Sequence, residues 1–471
     1  MRRAWIAAAA ALALAACTAG DEPGPSGVSA TATWPAPAAD RPVVELRFDV
    51  AEDLRSVDGR ERVSFTPDLP VCELVFRSWP NKPYTARAGS SLEVRAVTVG
   101  GEPARFLVLP GGAPEGAPGT LVEVPLPRCV DAGTTVEAEL DFDLTLGEGV
   151  DERVGVAPEA QVAWFGSAFP LLAWETGRGW AREDAVDVAG EVATSETFDL
   201  RSLEVLAPAG HEVLAAGESL GTAPAGQGRV HRFGAPAVRD VTVTVGQLDV
   251  LTREAGGVRV HLGAPAAGTR VPLPTWADQV ERSLGELTAL LGPVPYDDLW
   301  ISVLPGGADG VEFPGAVQMR DTDPGRDRWL VTHELAHMWF YGLVGNNQGR
   351  DPWIDESFTS MVQRVADEPD QDPAPSGEAL SPVADEVGRP MRYWTRFDRP
   401  SAAYVQAVYV AGADALLRAR GRVGAEAFDA ALRGYLRDNA HQVVEPADVR
   451  RAFEDLPAVL VELREAGALR G

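Results

Sequence analysis

The chain divides into two regions that differ in their pattern of hydrophobic and polar positions. From Arg41 to about Leu251, short segments alternate apolar and polar residues, and Gly or Pro turns separate several of them. The segments are VVELRFDV, ELVFRS, SLEVRAVTV, TLVEVPL, TVEAELDFDL, TFDLRSLEVLAP and VTVTVGQLDV. A period of two is typical of strands with one buried face. Since no convincing helical period interrupts them, residues 42–251 are predicted to form an all-β N-terminal domain, either a sandwich or a large curved sheet.

The pattern changes in residues 252–465. Apolar residues between Trp276 and Leu291 recur at the spacing of one helix face, and Gly292-Pro293 follows them as a stop signal. LWISVLP and AVQM are predicted strands in the same region. Further helices are predicted at Arg326–Leu343, from near Asp351 with Pro352 as first helical residue, at 401–419, at 425–438 and after Pro446. Strands followed by helices predict an α+β domain over residues 252–465.

The N-terminal segment has the features of an export signal. A basic start precedes an apolar run of roughly a dozen residues, which is too short for a membrane span of about 20. The run ends in Leu-Ala-Ala-Cys17, which is similar to a bacterial lipobox. We therefore expect residues 1–16 to be a lipoprotein signal peptide, although an ordinary cleaved signal peptide is the alternative. Cys17 would carry the lipid, and the Pro/Ala/Gly-rich residues 17–41 would tether the folded domains to the membrane.

Charge and cysteine content refine the expected environment. The formal net charge is −27, and a surface of that sign repels phosphates, so nucleic acid is excluded as a partner. With Cys17 assigned to lipidation, Cys72 and Cys129 remain. An exported protein at the cell surface is in an oxidising environment, which favours a disulfide between them. Two separately buried thiols are the alternative.

The stretch VTHELAHMWFY, residues 331–341, holds two of the six histidines. His333 and His337 are four positions apart, so both imidazoles can face one cation from the same side of a helix. Glu334 is turned by roughly 100° from His333, which places its carboxylate beside the metal. There it can take a proton from metal-activated water and pass it to the leaving amine. The motif predicts a catalytic zinc site, although so short a pattern also occurs by coincidence.

A catalytic zinc site needs a third protein ligand. Eighteen residues separate His337 from Glu356, and glycines, asparagines and Pro352 in that interval allow a second, antiparallel helix to begin. Glu356 lies in the apolar context PWIDESF, which favours a buried carboxylate paired with the metal over a solvated helix glutamate.

These residues together resemble the aminopeptidase N family of zinc peptidases, peptidase family M1. The resemblance is most specific in HELAHMWF and in the glutamate of WIDESF. DGVEFP at 309–314 is similar to the family's Gly-Ala-Met-Glu-Asn loop, and AVYVAGADALLRARG is similar to its helix that begins Tyr-x-x-Gly-Ala. AFPLLAWETGRGW in the β-region is similar to a Phe-Pro segment of the family. The resemblance extends over roughly residues 42–460 and implies a thermolysin-like α+β zinc peptidase domain behind the β-domain.

The resemblance also implies roles for individual residues. His333, His337 and Glu356 would bind one zinc ion per chain, and Glu334 would be the general base and acid. Tyr409 would stabilise the oxyanion of the tetrahedral intermediate, whereas taken alone it is an ordinary amphipathic core residue. Glu312 would bind the free α-ammonium group, whereas taken alone it is a surface loop acid, and the backbone at Gly310 would pair with the peptide.

The predicted function is therefore that of an exported, lipid-anchored, zinc-dependent aminopeptidase that acts on peptides with a free N-terminus. A zinc endopeptidase with the same chemistry is one alternative. A non-catalytic surface binding protein with a structural zinc is the other. A closed four-ligand structural site would need another His or Cys nearby, and none lies between His337 and His441.

Overall fold

A computed structural model describes residues 34–148, 153–190, 195–306, 309–369, 371, 373–376 and 382–470. The predicted signal peptide, Cys17 and the first part of the predicted tether, up to residue 33, lie outside these residues. Among the described residues, no helix combines the length and apolar character that crossing a membrane requires.

The N-terminal half is built around an eight-stranded sheet. Its strands alternate buried and accessible positions, as in Val43–Val50, where every second residue is buried. Alternation of this kind gives the sheet one apolar face, which must be covered. In order across the sheet the strands are Glu218–Ala225, Gly228–Val238, Phe198–Ala207, Val43–Val50, Ser56–Phe65, Val136–Thr145, Ser91–Val99 and Glu102–Pro103.

Smaller sheets cover the apolar face. The Phe48 ring of the large sheet meets Phe165 of a four-stranded sheet with centroids 5.2 Å apart, and Phe65 meets Trp174 at the same centroid distance. One four-stranded sheet comprises Glu212–Ala215, Thr242–Gly246, Val162–Gly166 and Val154–Ala157. The other comprises Leu171–Leu172, Val71–Arg77, Leu121–Val130 and Leu107–Leu109, and Trp174–Glu175 pairs with Gly179–Trp180.

A disulfide joins Cys72 and Cys129 on two neighbouring antiparallel strands. The short helix Pro83–Arg87 and the 3-10 turns Trp79–Asn81 and Pro158–Ala160 interrupt the strands. The prediction of a β-rich N-terminal half followed by an α+β catalytic half is confirmed.

The second half begins with a five-stranded sheet, called here the catalytic sheet. Its order is Leu248–Ala255, Val258–Pro265, Asp298–Leu304, Ala316–Arg320 and Gly310–Phe313. The predicted boundary after Leu251 therefore falls within the first strand of this sheet, because the alternation in that strand continues the pattern of the β-region. Gly310–Phe313, called here the edge strand, is antiparallel to its single neighbour.

Helices pack against the catalytic sheet and carry the site. Val280, Leu284, Leu287 and Leu291 lie on the buried face of the first long helix, as predicted from their spacing. A π-helical turn, Gln406–Ala411, joins two of the later helices. The helices of this half are Leu273–Leu291, Arg328–Ala336, Trp353–Asp367, Met391–Trp394, Pro400–Val405, Gly412–Val423, Ala425–Asp438, Pro446–Ala452 and Pro457–Glu465, and Gly345–Asn346 pairs with Val443–Val444.

Arg328–Ala336, called here the metal helix, is shorter than the predicted Arg326–Leu343. The chain leaves the helix at His337, and Tyr341 adopts a left-handed backbone conformation with φ of 88°. The Tyr341 hydroxyl donates a hydrogen bond to Asp240 of the N-terminal half over 3.1 Å. This tertiary bond overrides the helical pattern of the apolar residues that follow His337. Trp353–Asp367, called here the glutamate helix, begins one residue later than predicted, with Pro352 preceding it.

Candidate metal centre

The metal helix and the glutamate helix bring the three predicted zinc ligands together. Nε2 of His333 lies 3.3 Å from Nε2 of His337. Oε2 of Glu356 lies 3.4 Å from Nε2 of His333 and 3.6 Å from Nε2 of His337. The three side chains are buried, and these atoms form a nearly equilateral triangle.

The triangle has the dimensions that a tetrahedral zinc ion requires. Ligand atoms about 2.0–2.1 Å from a tetrahedral centre are about 3.3 Å from one another. Two imidazole nitrogens and one carboxylate oxygen are also the donor set of many catalytic zinc sites with an open fourth position. Oε2 of Glu356 is buried and accepts no hydrogen bond from the described residues. A cation shared by the three atoms would satisfy that oxygen, so the residues fit zinc.

Asp355 orients the second histidine ligand, His337. Its Oδ1 lies 2.8 Å from Nδ1 of His337, and the carbonyl of Phe340 and the hydroxyl of Thr359 lie 3.2 and 3.3 Å from the same nitrogen. Acceptors on Nδ1 fix the imidazole with Nε2 directed toward the metal position. Sequence reasoning missed this role of Asp355, although an acid directly before the ligand Glu356 in an apolar segment was a usable signal.

Glu334 is buried on the metal helix, immediately beside the first histidine ligand. Its Oε2 accepts no hydrogen bond from the described residues. Burial raises the pKa of the Glu334 carboxyl well above its ordinary value, and the neighbouring charge of His337 opposes that shift. The carboxylate packs against the backbone of Gly310, where the edge strand passes the metal helix. A carboxylate with these surroundings is available to exchange a proton with a water molecule or a leaving group.

Tyr409 lies on the π-helical turn, beside His333. Its ring stacks on His333 with centroids 5.7 Å apart, and its hydroxyl interacts with the Glu356 carboxylate. Burial raises the pKa of the Tyr409 phenol well above its ordinary value, so the hydroxyl keeps its proton and remains a donor. Its ring also packs edge to face with that of Tyr404, with centroids 5.6 Å apart.

Glu312 is on the edge strand and is only 5% exposed, not a surface acid. Its carboxylate lies close enough to His337 and Asp355 for one cation to touch all three. Its Oε1 is buried and accepts no hydrogen bond from the described residues. The guanidinium of Arg153, which comes from the N-terminal half, lies 3.8 Å from this oxygen.

A cavity of about 380 Å³ connects these groups. Its lining also includes Trp329, at the N-terminal end of the metal helix, and Gln363 and Arg364, toward the C-terminal end of the glutamate helix. The walls of the cavity include all seven residues predicted for metal binding, catalysis and substrate binding, which are His333, His337, Glu356, Glu334, Tyr409, Glu312 and Gly310.

Comparisons with known proteins find similarity to one peptidase family. Residues 321–464 match the model of the peptidase family M1 domain. Aminopeptidase N of Streptomyces lividans is 29% identical over 187 residues, which cover 34% of this chain and 21% of the relative. Tricorn protease-interacting factor F2 of Thermoplasma volcanium is 29% identical over 175 residues, covering 33% of this chain and 22% of the relative. Residues 321–464 therefore match the domain of this family, and the predicted resemblance to its aminopeptidase N-like members is confirmed.

Solved structures extend the likeness to nearly the whole chain. The M1 zinc metallopeptidase of Deinococcus radiodurans superimposes with a TM-score of 0.62 at 18% identity, over 94% of this chain and 98% of the other. A mutant of that peptidase bound to a Tyr-Ser-Ala substrate gives a TM-score of 0.64 at 18% identity, over 94% of this chain and 98% of the other. At this identity the likeness establishes the fold. The curated relatives are matched over only about a fifth of their length.

Proposed function

We propose that the protein is a zinc-dependent aminopeptidase that removes N-terminal residues from peptides, with one zinc ion per chain. The observation that carries the proposal is the triangle of His333, His337 and Glu356 ligand atoms, 3.3 to 3.6 Å apart. The carboxylates of Glu334, on the metal helix, and of Glu312, on the edge strand, line the same cavity. A structural zinc would not require either carboxylate.

The residues around the metal position supply the proton transfers and the charge stabilisation. Zinc bound by the three ligands would supply Lewis acidity, which makes water more acidic and polarises a peptide carbonyl. Glu334 accepts the proton of the attacking water and donates it to the leaving amine, for which its buried carboxylate is suitably located. Tyr409 donates a hydrogen bond to the developing oxyanion, because its phenol stays protonated beside His333.

The positions of residues on the edge strand support one orientation of the bound peptide. Glu312 lies at the His337 end of the strand, and Gly310 lies against Glu334. An ammonium group bound by Glu312 would therefore bring the first peptide bond near the metal and Glu334. The peptide would pair with the edge strand as an added strand, and the residues after the scissile bond would extend toward Trp329 and Gln363.

Purified protein tests this function directly. We expect about one zinc per chain by metal analysis, hydrolysis of aminoacyl-anilides, and no hydrolysis of their N-acetylated counterparts. N-acetylated peptides cleaved as fast as free ones would instead indicate an endopeptidase. Protein that binds no zinc and stays inert after zinc is added would contradict the proposal.

We also propose that the protein is exported and anchored to the membrane through a lipid on Cys17. The support is the basic and apolar pattern of residues 1–16 and the Leu-Ala-Ala-Cys ending. Incorporation of a labelled fatty acid by the wild type, and its loss in Cys17→Ser, is the expected result. Label that persists in Cys17→Ser would contradict this site of modification.

A further inference from the structure

A buried arginine from the N-terminal half stands behind the carboxylate of Glu312. The Arg153 side chain is 1% exposed, and its Nη2 lies 3.8 Å from Oε1 of Glu312. At that distance the two groups attract each other electrostatically but do not form a hydrogen bond. Since the substrate-facing cavity also touches Glu312, this carboxylate lies between a fixed guanidinium and the position proposed for the substrate's ammonium group.

The position of Arg153 is fixed on several sides. Its Nη1 donates a hydrogen bond to the hydroxyl of Ser167 over 3.2 Å and lies 4.0 Å from Oδ2 of Asp240. The guanidinium also lies over the rings of Trp79 and Phe313, with distances to the ring centroids of 5.3 and 5.1 Å. Phe313 directly follows Glu312 on the edge strand. Arg153 therefore contacts two consecutive residues of this strand, the ring of Phe313 and the carboxylate of Glu312.

Charge balance explains why a cation is needed here. Glu334, Asp355 and Glu356 are buried carboxylates in the same site. Glu312 interacts electrostatically with Glu334 and with Asp355. A further buried carboxylate among like charges is unfavourable unless a cation compensates it. Arg153 supplies that compensation from a side of Glu312 that the substrate does not occupy.

We propose that Arg153 is a positioning residue for recognition of the substrate's free amine, which it serves by holding the Glu312 carboxylate in place. The inference rests on the proposed aminopeptidase function. The effect of Arg153 on amine recognition passes through Glu312, so this effect disappears when Glu312 is removed. A residue that only stabilises the fold would contribute equally with or without Glu312.

A double-mutant cycle of Arg153→Met and Glu312→Ala tests the proposal. We expect Arg153→Met to lower kcat/KM for an aminoacyl-anilide about tenfold, mainly through a higher KM. In the Glu312→Ala background the same change should alter kcat/KM by less than about twofold. An equal loss in both backgrounds would overturn the proposal. Arg77→Met is the matched control, because Arg77 is also a buried arginine of the N-terminal half and bonds a backbone carbonyl away from the cavity.

Binding measurements separate this inference from the proposed function. Calorimetry with phenylalaninamide should give a Kd about tenfold higher for Arg153→Met than for the wild type and an unchanged Kd for Arg77→Met. Arg153→Lys keeps the charge and is the variant to use where Arg153→Met does not fold, with an intermediate Kd expected. An unchanged Kd in both Arg153 variants would overturn the role of Arg153. Wild-type protein that binds the amide but hydrolyses no anilide would contradict the proposed function instead.

Discussion

A side chain at position 310 would collide with Glu334. A Cβ built on Gly310 lies 2.5 Å from Cδ of Glu334 and 2.6 Å from its Oε1. The edge strand can therefore approach the metal helix only because residue 310 is a glycine, and this approach brings the peptide-binding strand beside the proposed general base.

Gly310→Ala should displace the Glu334 carboxylate, because the atoms that a methyl group would meet belong to the end of a flexible side chain. We expect kcat to fall about 100-fold, as after a small misplacement of a catalytic group, with little change in the melting temperature. Gly285→Ala is the control, since a Cβ there meets no atom within 4 Å. Equal kcat values for the two variants would contradict the steric argument.

Glu334→Gln should retain zinc and lose hydrolysis. The amide keeps the shape of the side chain but cannot accept the proton, so kcat should fall about 10²- to 10⁴-fold. Metal analysis and anilide hydrolysis measure the two properties separately. Glu286→Gln, on a helix outside the cavity of the metal centre, should leave both unchanged. A fully active Glu334→Gln variant would show that another group is the base.

Tyr409→Phe should lower kcat about 10²- to 10³-fold and change KM little, because the lost hydrogen bond belongs to the oxyanion and not to the bound substrate. The ring of phenylalanine preserves the stacking on His333. Tyr393→Phe is the matched control, since its hydroxyl donates to Glu386 and not to a residue of the cavity. An effect confined to KM would argue against the proposed role.

Asp355→Asn should weaken zinc binding. Asp355 accepts from Nδ1 of His337, and loss of such a partner of a ligating histidine lowers metal affinity about 10- to 100-fold. Competition with a chelator of known affinity measures the change. An unchanged zinc affinity would mean that the Phe340 carbonyl and the Thr359 hydroxyl suffice to orient the ring.

Asp351→Asn should stabilise the protein at neutral pH. Burial raises the pKa of Asp351 from 3.8 to about 6, and the nearby charge of Arg350 opposes this shift. A raised folded-state pKa means that the native state binds more protons than the unfolded state between these values, so wild-type stability falls as pH rises through that window. The variant should gain at most about 3 kcal/mol in free energy of unfolding at pH 7.

Urea unfolding of the wild type and Asp351→Asn at pH 4 and pH 7 measures this difference. Below about pH 4 the aspartate is protonated in both states, and the two proteins should then differ little. A stability difference that is the same at both pH values would show that ionisation of Asp351 is not its cause.

Local patterns predicted the parts of the site that depend on neighbours in sequence. The i, i+4 spacing of His333 and His337 sets one helix face, and the interval to Glu356 contains the residues that end one helix and start the next. The alternation in strands such as Val43–Val50 likewise predicted the sheets, because burial of one face imposes a period of two.

Features that depend on tertiary contacts were not predictable in this way. The metal helix ends early because Tyr341 is bonded to Asp240, about a hundred positions away in sequence. Tyr409 lies on a π-helical turn, although the residues around it have an ordinary helical pattern. Arg153 appeared in sequence as one arginine among many, and only the packing of the two halves brings it to Glu312.

The bond between Tyr341 and Asp240 constrains how the protein can be recombined. The turn that follows the second histidine ligand is held by a carboxylate of the N-terminal half, and that carboxylate also accepts from Ser167 beside the Arg153 guanidinium. A chimaera that joins this catalytic half to the N-terminal half of a distant relative would need Asp240, Ser167 and Arg153 transplanted with it. Exchange of one half of this protein for that of a relative therefore requires that these three buried polar residues be matched.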